Sequence, residues 1–310
     1  MKKFFFNANA LKSSVFCLGL AAAACTLTLY SCDNGDDDDD EDDPSGLFVG
    51  TLGDAPYEAD AVKYTVTGNA EIGSIELTSS GNYLVLPPEA DAQPEADLPS
   101  KTSTTGTSYL KKQEKALSRY IHTDRCFFGT FTKDTDGSYT LKDYGTLSVA
   151  GNNLLKLVKT DGSPITTLSV EKLPAITGNS LNNRFCRTWH PVSATLKYYD
   201  TNDKLLHTEI IDSPEDLQED YINYIVVSKS GSFFQVDYDG SMDGYGSWKW
   251  TDTEKQIFQF QWLDEEYPDG GSEQVSFNDA TAYFQVFYSD MDDNEQIVKV
   301  QETVKCQALN

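Results

Sequence analysis

From Gly46 onward hydrophobic and polar residues alternate with a period of two in short runs. Turn-forming clusters separate the runs: Ser79-Ser80-Gly81-Asn82, Asp134-Thr135-Asp136-Gly137, Gly151-Asn152-Asn153 and Ser228-Lys229-Ser230-Gly231. A period of two sends successive side chains to opposite faces of an extended strand, so the pattern predicts antiparallel all-β structure. In the first half it places strands at 61–67, 74–78, 83–86, 126–133, 138–143, 145–149, 154–159 and 166–173. In the second half it places them at 186–199, 205–212, 224–228, 232–238, 244–251, 255–262, 273–278, 281–289 and 296–306. Trp248 and Trp250 share a face, as do Phe258, Phe260 and Trp262, and Phe284, Val286 and Tyr288. Such faces fill an interior, and eight or nine strands with short loops hide their edges best by closing. The fold class is therefore all-β, with two antiparallel barrel or barrel-like domains.

Breaks in the alternation set the boundaries. Pro174, Gly178, Asn179 and Ser180 cluster between 173 and 181, which divides a domain at 47–173 from one at 181–310. Within the first, residues 87–101 are rich in Pro, Ala, Glu and Asp and run into a Ser/Thr/Gly stretch, predicting a mobile loop near 87–108. Behind it Leu110, Leu117 and Ile121 recur at helical spacing. Ser213-Pro214-Glu215-Asp216 combines a capping serine, a first-turn proline and acids at the positive end of a helix, so a short helix is expected there. The halves also repeat an order of blocks. Gly137-Ser138-Tyr139 then Tyr144-Gly145 matches Gly231-Ser232-Phe233 then Tyr245-Gly246, which suggests duplication or the recurrence of ordinary turn chemistry.

Ahead of the strands, residues 1–31 carry Lys2, Lys3 and Lys12 and an apolar run from Val15 through Leu29 with alanines at its centre. That is the pattern of a secretory leader, shorter than the ~20 residues a membrane-spanning helix needs. Residues 32–46 follow as a tether containing eight consecutive acids, Asp36 to Asp43, whose mutual repulsion keeps it extended. The whole chain carries a net charge of −25, and −28 from Cys32 onward once the three leader lysines are removed. Such a surface repels phosphate backbones and anionic head groups, which speaks against nucleic acid as a partner.

Leu29-Tyr30-Ser31-Cys32 resembles the lipobox of bacterial lipoproteins, and the acidic run behind it resembles the export signal of Bacteroidetes-type surface lipoproteins. The resemblance implies lipidation of Cys32 and anchoring in the outer membrane facing the cell exterior. Residues 181–308 look like the lipocalin-like or calycin-like domains of such lipoproteins, through Arg187-Thr188-Trp189, Ser230-Gly231-Ser232-Phe233 and Gly246-Ser247-Trp248-Lys249-Trp250. Lipocalins proper have glycine where Arg187 stands and an arginine near the last strand that covers the tryptophan, where this chain offers Lys299 and Lys305. The first half resembles the same group through Ser80-Gly81-Asn82-Tyr83 and Tyr144-Gly145.

Little in the chain points to catalysis. His122, His190 and His207 lie in unlike contexts without zinc-site spacing, and no cofactor is implied. Gly240-Ser241-Met242-Asp243-Gly244 sets its serine one place early for a nucleophile elbow and reads as a hairpin loop. Asp134-Thr135-Asp136-Gly137 and Asp290-Met291-Asp292-Asp293-Asn294-Glu295 are oxygen-rich turns without the spacing of an EF-hand. With lipid on Cys32, three mature cysteines remain. Cys186 in the first strand of the second barrel and Cys306 in its last fall on one parity, so they read either as a disulfide or as two buried thiols, with Cys126 a buried thiol. The leading expectation is a surface-tethered binding module for a glycan, a small apolar ligand or a protein. The alternatives are a structural component of an outer-membrane protein complex and, behind it, a carboxylate-dependent hydrolase.

Overall fold

The computed structural model describes residues 51–88, 126–176, 180–262, 271–291 and 297–309. Cys32 and the expected leader and tether, the loop expected near 87–108 beyond Pro88, the helix expected from Leu110 to Ile121, His122 and residues 292–295 lie outside them. The described residues all belong to one compact unit.

The first half is a closed antiparallel barrel of eight strands in chain order: β1 (Val62–Thr67), β2 (Ser74–Leu77), β3 (Asn82–Leu86), β4 (Phe127–Lys133), β5 (Tyr139–Leu141), β6 (Gly145–Gly151), β7 (Leu154–Lys159) and β8 (Thr166–Leu173). β8 pairs back onto β1 with Val170 opposite Val66. A short helix, α1 (Ser180–Phe185), then leads into β9 (Thr188–Tyr199) and β10 (Leu205–Ile211). A second helix, α2 (Pro214–Asp220), precedes β11 (Tyr224–Val227), β12 (Ser232–Val236), β13 (Met242–Asp252), β14 (Ile257–Trp262), β15 (Ser272–Asn278), β16 (Thr281–Met291) and β17 (Ile297–Ala308). β17 pairs with β9 from Lys299–Tyr199 to Ala308–Trp189, which closes a second eight-stranded barrel and leaves β10 as a ninth strand on the flank of β9. Both are up-and-down barrels, the architecture of lipocalins and streptavidin.

Both interiors are filled by the alternating residues. Barrel 1 packs Ile75, Leu77, Val85, Phe131, Leu147, Leu157 and Leu168. Barrel 2 packs Trp189, Phe233, Trp248, Phe258, Phe260, Trp262 and Phe284. The helices complete the second filling. α1 sends Phe185 to within 4.8 Å of the Trp248 and Trp250 rings and 4.9 Å of Phe258. α2 is capped by Ser213, whose Oγ accepts the Asp216 N–H at 3.1 Å, and it carries Leu217 with the following Tyr221 and Ile222 into the same core. Tyr221 and Tyr288 donate to the two oxygens of the buried Glu302 at 2.9 and 3.0 Å, which satisfies a carboxylate that burial would otherwise penalise.

The barrels lock together through one hairpin of each. β3 and β12 are buried on both faces, with Tyr83 and Phe233 inward and Leu84, Leu86, Phe234 and Val236 outward in a shared apolar seam with Cys126, Val226 and Tyr245. The two hairpin turns are built alike. Gly81 and Gly231 adopt φ of +86° and +84°, Thr78 and Ser228 donate to the carbonyls of Asn82 and Ser232, and both glycine carbonyls accept from β4 or β13. Polar groups then cross the seam. Ser230 and Ser232 donate to the buried Glu76 at 2.5 and 2.7 Å, and Thr188 donates to Asn82 at 2.7 Å.

Two readings that the sequence left open, for the cysteines and for the repeated blocks, take one form in the structure. Cys186 and Cys306 are buried free thiols, as is Cys126. A register shift sets Cys306 opposite Pro191 while Lys305 faces Ser193, so Val192 is skipped and the parity that joined the two cysteines breaks there. Cys186 itself precedes the strand, following α1. The repeated blocks also occupy unlike positions. Gly137-Ser138-Tyr139 leads into the fifth strand of barrel 1, while Gly231-Ser232-Phe233 opens the third of barrel 2; the equivalent of the latter is Gly81-Asn82-Tyr83. What the blocks share is a glycine at positive φ, since Gly137 also sits at +85°.

Candidate functional site

With both interiors packed, the described clefts are on the outside. One, of about 120 Å³, opens on barrel 1 and is lined by Phe127, Asp143, Tyr144, Lys159, Thr160 and Asp161. Its floor forms because β5 turns into β6 through Asp143, at φ +61°, and Gly145. A Cβ on Gly145 would lie 2.3 Å from the Val158 carbonyl, so only glycine lets β6 approach β7 this closely. Thr160 then returns an N–H to the Tyr144 carbonyl at 3.0 Å, which joins the end of β7 to the same turn.

On this frame stands an aromatic wall. Phe127, 43% exposed at the start of β4, meets Tyr144 at 4.6 Å between ring centroids, and Tyr144 stacks on Tyr83 behind it at 6.1 Å. Tyr83 is fixed by donating to the Lys142 carbonyl at 2.7 Å. Burial pushes the Tyr144 hydroxyl up to about 12, with Tyr83 adding to the shift, so this wall is neutral across the physiological range. Lys159 Nζ lies 6.0 Å from the Tyr144 ring and 3.0 Å from Glu71 Oε2. Across from it, hydrogen bonds from Ser163 hold the Asp161 carboxyl below its ordinary value. An apolar ring face beside an ammonium and two carboxylates suits a ligand with one apolar face and a rim of hydroxyls.

A second cleft, of about 330 Å³, is lined by Thr51, Leu52, Arg184 and Asp279, with the Arg184 guanidinium 5.0 Å from the centre of the Phe277 ring. It has no exposed aromatic face in its lining.

The residues singled out in the sequence have mostly structural roles here. Trp189, at 0% exposure, donates Nε1–H to the Phe185 carbonyl and is packed by Phe277 and Phe284. Lys299 instead pairs with Asp203 at 2.5 Å. Arg187 donates to the carbonyls of Asn183 and Gly53. His190 Nδ1 meets the Asn223 carbonyl, and His207 stacks on Tyr198 at 4.1 Å. Asp134 and Asp136 accept from Ser138 and Thr140 inside their hairpin turn. The serine of Gly240-Ser241-Met242 closes the β12–β13 hairpin through its carbonyl.

No family model matches this chain, and no curated protein matches it. Among the described residues, no helix is long and apolar enough to cross a membrane.

Proposed function

We propose that this protein is a lipid-anchored binding lipoprotein, exposed on the outer-membrane surface, that holds a glycan on the outside of barrel 1. The observation that carries this reading is the filling of both barrels. Among the described residues, Trp189, Phe185, Phe233 and Phe284 occupy the interior of barrel 2 and Ile75, Leu77 and Leu157 that of barrel 1, which disfavours a small apolar ligand held inside either barrel. Binding is left to exterior surfaces, and the Phe127 cleft combines an exposed ring with Lys159, Asp143 and Asp161. The lipobox-like Leu29-Tyr30-Ser31-Cys32 and the acids behind it support delivery to the cell exterior, where polymeric glycans are met.

The test is calorimetry of the purified protein against a panel of soluble oligosaccharides of glucose, galactose and mannose in α and β linkage. Saturable binding to a member of the panel is expected, weakened about tenfold or more in Phe127→Ala and in Lys159→Ala, as for hot-spot residues. Phe287→Ala, which removes an exposed ring from barrel 2, leaves it unchanged. Absence of binding across the panel, or equal loss in all three variants, would overturn the glycan reading. Product release would move it to hydrolysis. Mass spectrometry of the native protein tests the anchor separately, and an unmodified Cys32 thiol sinks that part.

A further inference from the structure

Barrel 2 carries one strand that its closure does not require. Barrel 1 passes from β1 to β2 across residues 68–73, whereas barrel 2 passes from β9 to β11 through residues 200–223, which hold β10 and α2. α2 helps to fill the barrel. β10 does not: it pairs with β9 on one edge, and no described strand pairs with the other. Residues 204–210 are all exposed, with Leu205 at 47%, Leu206 at 50% and Ile210 at 63%. An apolar edge of this kind is a template for pairing with another strand.

The side chains of this strand are their own complement. In an antiparallel pairing of two copies centred on Thr208, Leu205 faces Ile211, Leu206 faces Ile210 and His207 faces Glu209, with Lys204 and Asp212, just outside the two ends of β10, meeting each other, and each pair occurs twice. Every position then meets an opposite charge, an apolar partner or a hydrogen-bonding partner. Moving the centre one residue destroys the match, because Leu205 then faces Glu209 or Leu206 faces Asp212. The central residues are also held in place beforehand. Tyr198 stacks under His207 and donates to Glu209 Oε2 at 3.1 Å. β10 bulges at Leu206 against β9, so its regular part is 207–211 and the pairs made by Leu205 and Leu206 form beyond that bulge.

We propose that a second copy of this chain docks antiparallel on β10, Thr208 against Thr208, to give a two-fold symmetric dimer with one sheet running through both copies. A self-complementary patch is what a closed two-fold interface requires. The net charge of −25 on each chain opposes association at long range, but salt screens that repulsion beyond about 8 Å, while the opposite charges at the seam are in contact. The dimer does not depend on the glycan reading.

The experiment combines sedimentation velocity with cysteine trapping on the purified full chain. Directly paired residues have Cα atoms about 4.5–5.5 Å apart, within reach of a disulfide. Thr208→Cys is therefore expected to crosslink to its own copy under mild oxidation. Leu206→Cys and Ile210→Cys crosslink poorly alone and efficiently when mixed. Lys204→Glu weakens the dimer on the order of tenfold, and adding Asp212→Lys restores it. These positions are exposed, so circular dichroism should report an unchanged fold. A monomer at high micromolar concentration overturns the proposal. So does a dimer in which Thr208→Cys crosslinks no faster than Ile165→Cys, an exposed position on barrel 1.

Discussion

Tyr83 and Tyr139 sit in barrel 1 with their hydroxyls donated to the Lys142 carbonyl and to Asp60, and Tyr144 packs beside Tyr83. Burial pushes each phenol up to about 12, with Asp143 adding for Tyr83, the Asp60 hydrogen bond for Tyr139 and Tyr83 for Tyr144. In barrel 2, burial and then the Glu302 carboxylate raise Tyr221 and Tyr288 further. A free phenol ionises near 10, so the fold holds these groups in the form it prefers at all lower pH values. Their contribution is intact below pH 10 and is lost as pH climbs through 12, because each ionised ring then favours the unfolded chain. Titration followed at 295 nm should show these tyrosines ionising together with the loss of ordered structure between pH 10 and 12. Normal ionisation of all of them near pH 10 with the fold intact would contradict this packing.

At the level of elements, the hairpins β2–β3 and β11–β12 carry the seam, and their serines are the part most open to test. Glu76 is 2% exposed, with Lys63 Nζ 4.0 Å away and the Ser230 and Ser232 hydroxyls much closer. Replacing both serines by alanine removes the short donors from a buried carboxylate and should cost about 2 to 4 kcal/mol in chemical denaturation. Adding Glu76→Leu should recover most of that loss, since an apolar group needs no donors; failure to recover would mean that the serines act through the turn itself. Most of these elements were legible beforehand because two-residue alternation survives in strands buried on one face, and β7 and β8 begin and end where the pattern did. α1 was not legible. Six residues are too few to establish a helical period, and the segment reads as linker and strand. The skipped residue at Val192 was equally silent, and it misaligned Cys186 with Cys306. The candidate cleft was hidden for another reason: Phe127, Asp143 and the Lys159–Asp161 segment come from three separate places in the chain, and only the side-by-side arrangement of β4 to β7 brings them together.

Considered whole, the molecule departs from the usual two-domain chain, in which a modest polar interface leaves the domains free to move. Here an apolar seam of Leu84, Leu86, Val226, Phe234 and Val236 is joined by hydrogen bonds that cross it, so opening it would expose hydrocarbon and strand the Glu76 carboxylate together. The two barrels should therefore unfold as one cooperative unit. The distribution of tryptophan makes this measurable through the candidate site. All four tryptophans, Trp189, Trp248, Trp250 and Trp262, lie in barrel 2, while the Phe127 cleft lies in barrel 1. A bound oligosaccharide stabilises the state that binds it, by about 2.7 kcal/mol at a hundred times its dissociation constant. If the seam transmits that gain, the tryptophan-detected Tm of barrel 2 must rise although no tryptophan touches the ligand. Phe234→Asp, which puts a carboxylate into the seam, should uncouple the two, so that the ligand still raises the transition of barrel 1 but no longer moves the tryptophan signal. Two separate transitions in the unaltered protein would mean that the seam does not bind the barrels into one unit.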